Sequence, residues 1–277
     1  MPNFNFAGRV VAITGSTGGL GSGLASQLRA RGARLALFDL DQDAVNKQAE
    51  DLGGENHAKG WRADVRSFED LSLAMEGAAN HFGRIDVVIA NAGVEVVAPM
   101  AKTDPKTFER VIDINLNGVW RTFRAGLPYV QREKGYLLGV SSLAAFFHSP
   151  LQASYTASKA GVWALCNSIR MEVKHLGVGV GSVHPTFVNT AMLANMHADP
   201  AGLKLWEGNK SLFFKSITPE VVVDGIVRGI ERRSQTIVIP SSNNLPVRAP
   251  GLFRGVIEKF GFKQKNITEA IDLASYR

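Results

Sequence analysis

The chain has 277 residues, a formal net charge of +6 and a single cysteine. This length is enough to bury a full core without disulfides, and one cysteine excludes an internal disulfide. The modest positive charge, without interleaved aromatic residues, argues against a nucleic-acid-binding protein. The N-terminus has no signal-peptide pattern and no stretch reaches the roughly 18 apolar residues that span a bilayer, so we expect a cytoplasmic protein.

Short apolar runs rich in β-branched residues alternate along the chain with longer helical patterns. Strands are predicted at 10–14, 34–38, 58–63, 85–90, 136–141, 178–183 and 236–239, and helices at 19–31, 41–51, 67–82, 105–131, 152–176 and 218–233. This order predicts an α/β protein with a doubly wound Rossmann fold, in which helices flank a parallel sheet of about seven strands. We expect one catalytic domain over residues 1–240, with an apolar insertion at 191–217 acting as a substrate lid, and a C-terminal extension over 241–277.

A glycine-rich turn follows the first predicted strand and opens the first helix. Glycine lets a backbone turn sharply and approach a pyrophosphate, and the helix N-terminus adds the positive end of its dipole. The strand–turn–helix context favours a dinucleotide site over an ordinary helix start. The predicted cofactor-binding residues of this turn are Gly15, Ser16, Thr17, Gly19, Leu20 and Gly21.

Asp39 ends the second predicted strand, 18 residues after Gly21. A carboxylate at this place accepts hydrogen bonds from ribose hydroxyls and repels a 2′-phosphate. Ser16, Thr17 and Leu40 offer that phosphate no cation, so the sequence favours NAD over NADP. The alternative is that Asp39 only caps the helix that begins near Asp41.

Polar and small residues end the third and fourth predicted strands. Ligands of open parallel sheets bind beyond the carboxyl ends of the strands. Asp64 and Val65 are therefore candidates for the adenine end of the cofactor, and Asn91 and Gly93 for the floor under the adenosine ribose. Taken singly, each is equally typical of an ordinary turn.

Tyr155 and Lys159 stand four residues apart in a predicted helix and share one of its faces. An ammonium near a phenol favours the phenolate, so we expect the pKa of Tyr155 to fall from its usual value of about 10 and to suit a general acid and base. Ser142 ends a predicted strand thirteen residues earlier, whereas strand alternation points Ser141 to the other face. No G-x-S-x-G motif surrounds Ser142, which argues against a hydrolase nucleophile.

Together these motifs resemble the short-chain dehydrogenase/reductase family of the single-domain type. The resemblance runs from about residue 8 to 239, and its specificity lies in the joint occurrence of the motifs in order. It is carried by Thr14-Gly15-x-x-x-Gly19-Leu20-Gly21, Asp64-Val65, Asn91-Ala92-Gly93, Asn115, Ser142, Tyr155-x-x-x-Lys159, Pro185 and Thr190.

The resemblance implies a role for each matching residue. Tyr155 would exchange the proton, Ser142 would hold the substrate oxygen, and Lys159 would lower the phenol's pKa and bond the nicotinamide ribose. Asn115 would anchor a water that joins Lys159 to solvent. The segment Pro185–Thr190, including Val188, would pack against the nicotinamide. The family also implies a homodimer or homotetramer.

The chain departs from the family pattern at two positions. Ala90 stands where the family often has Asn, and Thr186 stands where it often has Gly after Pro185. We expect little cost from Ala90, because Asn91 and Gly93 remain. Thr186 is bulkier and is expected to reshape the pocket beside the nicotinamide.

The expected reaction is hydride transfer between a nicotinamide cofactor and a secondary alcohol or ketone. The apolar run at 143–147 and the insertion at 191–217 suggest an apolar substrate, although the same side chains suit core packing or a subunit contact. Residues 241–265 combine apolar side chains with five basic residues, which is compatible with a membrane-surface or subunit contact.

Two other interpretations stay open. One is a carbonyl reductase that depends on NADPH, and the other is a nucleotide-sensing protein that has kept the fold without turnover. The joint presence of Asn115, Ser142, Tyr155 and Lys159 favours an enzyme. The sequence has no His/Cys cluster with metal-ligand spacing, so we expect no metal.

Overall fold

The computed structural model describes residues 4–207 and 215–277. Its centre is a seven-stranded sheet in which every pairing is parallel and the strand order is β3-β2-β1-β4-β5-β6-β7. The predicted fold class is therefore confirmed. The strands are β1 Val10–Thr14, β2 Arg34–Asp39, β3 Ala58–Arg62, β4 Val87–Ala90, β5 Tyr136–Val140, β6 Gly179–Pro185 and β7 Thr236–Ile239.

Twelve α-helices lie in the described residues. They are α1 Gly19–Ala30, α2 Gln42–Asp51, α3 Phe68–Phe82, α4 Pro105–Ile112, α5 Gly118–Arg132, α6 Ala153–Val173, α7 Ala191–Ala198, α8 Pro200–Trp206, α9 Pro219–Glu231, α10 Asn244–Arg248, α11 Pro250–Gly261 and α12 Gln264–Leu273. Short 3-10 turns lie at Met100–Lys102, Leu143–Ala145, Lys174–Leu176 and Ser241–Asn243.

Strand alternation divides the core into two layers. In β1, Val11 and Ile13 pack against the side of the sheet covered by α1, α2 and α9. Val10 and Ala12 face the opposite side, which is covered by α3, α5 and α6. Both faces of each central strand are buried, which explains why these strands read as continuous apolar runs.

The chain runs outward from β1 in one direction to β3 and then returns to β4 on the other side of β1. The turns that follow β1 and β4 therefore diverge and leave a crevice between them. This crevice is the switch point at which open α/β sheets bind ligands.

The helix predicted over 105–131 is wrong as a single helix. A π-helical turn at Asp113–Asn117 separates α4 from α5. The extra residue of such a turn rotates the side chains that follow, and such turns often occur at functional sites. Here the turn lies around Asn115, whose side chain is fully buried.

Residues 241–277 fold back onto the molecule as α10, α11 and α12. Helix α12 packs on α8, where Ala270 and Ala274 are buried with Leu205. Lys102 Nζ donates to the carbonyls of Ile271 and Ala274 at 2.9 and 2.7 Å and so caps the C-terminal end of α12. The extension therefore braces α8, one of the helices of the predicted lid segment.

Helix α11 has one buried and one exposed apolar face. Phe253 and Ile257 pack inward, whereas Leu252 and Val256 are exposed. No described helix is both long and apolar enough to cross a membrane. Contact of this segment with a membrane surface and a cytoplasmic location both stay predictions.

Candidate active site

A cavity of about 590 Å³ opens at the switch point. It extends from the turn after β1, past the ends of β4 and β5, to the loop after β6. Of the predicted site residues, it is lined by Gly15, Thr17, Gly19, Leu20, Gly21, Asp39, Asp64, Val65, Asn91, Gly93, Ser142, Tyr155, Lys159, Pro185, Val188 and Thr190. The structure thus brings the predicted cofactor and catalytic residues, except Ser16 and Asn115, to the lining of one cavity.

The glycine turn needs its glycines for two different reasons. Gly15 has φ +64°, which lies in the left-handed region that favours glycine. A Cβ at Gly21 would lie 2.1 Å from the Gly15 carbonyl oxygen, so only glycine allows α1 to start this close to the turn. The N-terminus of α1 consequently faces the cavity, and this cradle fits a pyrophosphate.

Asp39 lies at the end of β2 beside the glycine turn. Its Oδ2 accepts hydrogen bonds from the Thr17 backbone N–H at 2.9 Å and hydroxyl at 2.6 Å. Asp41, not Asp39, caps α2 by accepting from Asp43 and Ala44. The alternative that Asp39 serves only as a helix cap is therefore wrong, and its carboxylate is held at the cavity wall.

Asn91 ties the end of β4 to the glycine turn. Its side-chain amide donates to the carbonyls of Thr14 and Gly15 at 3.1 and 2.9 Å. Asp64 is paired with Arg66, and the hydrogen bond from that guanidinium holds the pKa of the Asp64 carboxyl below its usual range. The side chain of Asp64 is thus already engaged within the cavity wall.

Ser16 occupies a different place from its neighbours in the turn. It is fully buried, does not line the cavity, and its carbonyl accepts a hydrogen bond from Gln48 at 2.7 Å. Its predicted role as a direct cofactor contact is therefore not supported by its position. The residue instead anchors the turn to α2.

Tyr155 and Lys159 lie on the first turns of α6, facing Ser142 across the cavity. Lys159 Nζ lies 5.5 Å from the centre of the Tyr155 ring and donates to the Val140 carbonyl at 2.9 Å. Ser142 follows β5 and forms a hydrogen bond with the Tyr155 side chain. Ser141 points away, and its hydroxyl donates to the Lys159 carbonyl at 2.7 Å, as strand alternation predicts.

The predicted fall in the pKa of Tyr155 is wrong, because its pKa is raised. Burial raises the pKa of this phenol, the charge of Glu95 raises it further, and the hydrogen bond with Ser142 lowers it only in part. Burial also lowers the pKa of Lys159 to about 8, with Glu95 opposing the change. Loss of hydration therefore outweighs the mutual influence of the two groups.

Asn115 lies one layer behind the cavity wall. Its Nδ2 donates to the Val94 carbonyl at 2.9 Å and to the Ser158 hydroxyl at 3.1 Å, and its Oδ1 accepts from the Val94 N–H at 2.8 Å. The side chain thus holds the loop after β4 against α6. Its role in a proton relay stays a prediction.

The loop after β6 closes the far side of the cavity. Thr186, which replaces the glycine common in the family, is buried, and its N–H donates to the Ile239 carbonyl at 2.9 Å. Thr186 is among the residues that line the cavity, and the reshaping of the pocket expected from its size stays a prediction. Thr190 precedes α7 and lies against Gly19, which brings the end of β6 over the glycine turn.

Sequence reasoning missed several polar residues in the cavity, among them Glu95 and Gln152. Glu95 stands two residues after Gly93, and the Gln152 side-chain amide donates a hydrogen bond to its carboxyl. Burial raises the pKa of Glu95 to about 7, although Lys159 and Gln152 lower it. The only local signal was a lone acidic residue within the apolar run 94–98.

Glu95 makes the stability of the protein depend on pH. Its folded pKa of about 7 lies above the ordinary value of 4.5, so between these pH values the folded state holds a proton that the unfolded state releases. The free energy of unfolding therefore falls as pH rises through this window. Glu95→Gln has no charge to bury. We therefore expect its free energy of unfolding, relative to that of the wild type, to increase between pH 5 and pH 8. Thermal melts at both pH values measure this gain, and a gain at pH 5 equal to that at pH 8 would contradict it.

The substrate end of the cavity has apolar walls. Leu143 and Phe147 from the predicted run line it, whereas Phe146 packs in the core against His184 with ring centres 4.9 Å apart. From the predicted lid, Met192, Leu193 and Trp206 line the cavity. Three further apolar residues of the predicted lid segment 191–217, Leu212, Phe213 and Phe214, lie outside the described residues.

His184 is a structural residue beneath the site. Its ring nitrogens contact the Ser182 hydroxyl at 2.8 Å and the Ser142 carbonyl at 3.2 Å, and burial lowers its pKa to about 4. Within residues 4–207 and 215–277, no three His, Cys, Asp or Glu side chains form a metal-binding group.

A family model described as short chain dehydrogenase matches residues 9–201, which include every predicted site residue. The chain belongs to the short-chain dehydrogenase/reductase family. It is therefore an oxidoreductase of a family that uses a nicotinamide cofactor and a small-molecule substrate.

Two curated members of the short-chain dehydrogenase/reductase family illustrate its range of substrates. A (-)-trans-carveol dehydrogenase from Rhodococcus erythropolis is 36% identical over 206 residues, which cover 68% of this chain and 74% of that protein. A D-threitol dehydrogenase from Mycolicibacterium smegmatis is 30% identical over 219 residues, covering 78% and 81% of the two chains.

A solved structure of a short-chain dehydrogenase/reductase shares the fold. The protein, from Burkholderia phymatum and in complex with NAD, superimposes with a TM-score of 0.78 over 91% of this chain and 96% of its own. Its sequence identity is 22%, so the likeness concerns the fold.

Proposed function

We propose that the protein is an NAD-dependent dehydrogenase/reductase that interconverts secondary alcohols and ketones, with Tyr155 as general acid and base. The observation that carries this proposal is the convergence of Tyr155, Ser142 and Lys159 in a cavity that also contains the glycine turn and Asp39. A protein that only sensed nucleotides would need the turn and Asp39 but not the catalytic group.

The cofactor, when bound, supplies the hydride chemistry, and the protein supplies binding, orientation and proton transfer. The turn after β1 would hold the pyrophosphate, and Asp39 the adenosine ribose. Lys159, near the ring of Tyr155, would bond the second ribose. The segment from Pro185 to Thr190 would orient the nicotinamide.

Proton transfer is assigned to Tyr155. In the oxidative direction its phenolate accepts the hydroxyl proton of the substrate, and in the reductive direction the phenol returns it. Ser142 donates a hydrogen bond to the same substrate oxygen, where negative charge develops. Because burial raises the pKa of Tyr155, the phenolate needs nearby positive charge, which Lys159 supplies when protonated. With a pKa of about 8, Lys159 is easily deprotonated, so proton exchange through this amine is feasible near neutral pH.

The preference for NAD is expected to depend on Asp39. Its carboxylate is fixed by Thr17, and the neighbouring Leu40 is an exposed apolar residue at the same cavity. Asp39→Ala should weaken NAD binding about tenfold or more and narrow the gap to NADP, since a charged hydrogen-bond acceptor and a repulsive charge are both removed. Fluorescence titration with NADH and NADPH measures both affinities.

Asp41→Ala is the matched control for this prediction. It removes a carboxylate two residues away that caps α2 and does not line the cavity, so it should cost about 1 kcal/mol of stability and leave the cofactor preference unchanged. An unchanged preference in Asp39→Ala would contradict the role of Asp39. A wild type that prefers NADPH would favour the alternative of an NADPH-dependent carbonyl reductase.

We further propose an apolar substrate that enters beneath the segment 191–217. Met192, Leu193 and Trp206 form one wall of the cavity. The C-terminal segment contacts the same part of the chain through two ion pairs: Glu269 of α12 pairs with Lys204, and Arg277, beyond the end of α12, pairs with Asp199. We keep the single catalytic domain over 1–240, the extension over 241–277 and a homodimer or homotetramer as parts of this proposal.

The proposed function is tested by a dehydrogenase assay over secondary alcohols with NAD and with NADP. Oxidation of at least one alcohol, with formation of reduced cofactor, is expected from the wild type. Tight cofactor binding without oxidation of any alcohol or reduction of any ketone would instead support the nucleotide-sensing alternative.

A further inference from the structure

Glu95 and Gln152 form a hydrogen-bonded polar pair in the lining of the cavity, which also includes the polar residues Ser149 and Arg110. Glu95 and Gln152 face the same space as six apolar side chains. These are Leu143, Phe147, Phe187, Met192, Leu193 and Trp206. A cavity that served only apolar substrates would not need a carboxyl group there, because burying one costs free energy.

The pair is built into the wall and not free at the surface. Gln152 is 3% exposed, its amide donates to Glu95 Oε1, and its Nε2 lies 3.9 Å from the sulfur of Met196. Gln152 also precedes Tyr155 by three residues at the start of α6. The pair therefore holds a fixed position relative to the proton-transferring phenol.

Glu95 lines the same cavity as Tyr155 and Lys159. Its charge raises the pKa of both groups. It also lines a second cavity of about 550 Å³ on the side of α4 and α7. Among the described residues, Gln152 is the one side chain that hydrogen-bonds the Glu95 carboxyl, through Oε1, and none of these residues bonds its second oxygen. A carboxylate accepts hydrogen bonds at both oxygens.

The surroundings decide which ligand chemistry suits this carboxyl. Ionised Glu95 would repel a substrate carboxylate, and a substrate ammonium would add a further cation to a cavity that Lys159 and Arg110 already line. A hydroxyl both donates and accepts hydrogen bonds, so it can pair with ionised or protonated Glu95. Since the pKa of Glu95 is about 7, both forms are present near neutral pH.

We propose that Glu95 and Gln152 form a subsite for a second hydroxyl of the substrate. The inference rests on the proposed function, because the first hydroxyl is the one that Tyr155 and Ser142 hold for oxidation. The substrate class is then an apolar secondary alcohol that carries one further hydroxyl within reach of Glu95. The apolar walls contact its carbon skeleton.

The test compares cyclohexanol with the isomeric 1,2-, 1,3- and 1,4-cyclohexanediols. A hydrogen bond to a charged group changes binding by roughly tenfold to a hundredfold. We therefore expect at least one diol to exceed cyclohexanol about tenfold in kcat/KM with the wild type. In Glu95→Leu, the ratio of kcat/KM for that diol to kcat/KM for cyclohexanol should fall about tenfold or more. Gln152→Met removes the hydrogen-bond partner that holds the Glu95 carboxyl in position, so the same ratio should also fall in this variant.

Glu109→Leu is the matched control, because Glu109 is exposed on α4 and does not line the cavity. It should keep the wild-type ratio. A wild type that prefers cyclohexanol to every diol, or a ratio unchanged in folded Glu95→Leu and Gln152→Met, would overturn the subsite. If no alcohol is oxidised with NAD or NADP, the proposed function fails separately. Calorimetric titration then measures the affinities of the wild type and of Glu95→Leu for the diols and for cyclohexanol. A diol-to-cyclohexanol affinity ratio that falls in Glu95→Leu supports the subsite, and an unchanged ratio overturns it.

Discussion

Replacing Tyr155 with phenylalanine is expected to lower kcat/KM for alcohol oxidation by about 10²–10⁴-fold, because this range is typical for the loss of a general acid or base. The change deletes one oxygen and leaves the ring beside Lys159. Cofactor affinity should therefore stay within a few fold of the wild type. Steady-state kinetics with the best alcohol of the panel, together with NADH titration, measures both quantities.

Tyr276→Phe is the control for the loss of a phenol as such. Tyr276 is 81% exposed and lies far along the chain from the catalytic helix α6. Its replacement should leave kcat/KM unchanged. Full activity in Tyr155→Phe, or equal losses in both variants, would show that the phenol of Tyr155 does not transfer the proton.

Replacing Gly21 with alanine is expected to abolish cofactor binding and to destabilise the fold by about 2 kcal/mol or more. The new Cβ would lie 2.1 Å from the Gly15 carbonyl oxygen and 2.9 Å from the Ser16 Cα. Both neighbours are backbone atoms, so the turn itself must move to make room. Thermal unfolding with and without NADH measures the two losses.

Gly255→Ala is the matched control for a glycine within a helix. Gly255 lies in α11, and a Cβ there would meet no atom within 4 Å. Alanine should stabilise α11 by up to about 1 kcal/mol, since it has the higher helix propensity. Wild-type NADH affinity in Gly21→Ala would contradict the assignment of this turn to the cofactor.

Most of the fold was predictable because it depends on local patterns. Most strands were short apolar runs, although β3 includes Lys59 and Arg62, and the glycine turn followed β1 directly. The interruption at 113–117 had no comparable signal. The π turn there positions Asn115 to bond Val94, a contact between parts of the chain that come together only in the folded protein.

The site was predictable where residue spacing alone sets the geometry, as for Tyr155 and Lys159 on one helix. The pKa of Tyr155 was not, because it depends on how deeply α6 and the loop after β4 bury the phenol. Glu95 was missed for the same reason. Its orientation toward Gln152 follows from the path of that loop and not from any motif.

The C-terminal segment gave the least local information. Its apolar residues pointed to a surface contact, yet in α11 they divide between a buried and an exposed face. The contact of α12 with α8 joins segments about 60 residues apart, and small side chains such as Ala270 allow it. The sequence pattern therefore predicted only a C-terminal extension, whereas the structure packs α12 of this segment against α8.

The central claim is that hydride leaves the substrate carbon while Tyr155 takes the hydroxyl proton. The most direct measurement uses an alcohol with deuterium on the carbinol carbon and follows the label by mass spectrometry in single turnovers. The account predicts that the wild type transfers deuterium to the nicotinamide and that Tyr155→Phe, with cofactor bound, transfers it about 10²–10⁴-fold more slowly. Deuterium recovered in water, or equal transfer rates in the two proteins, would contradict it.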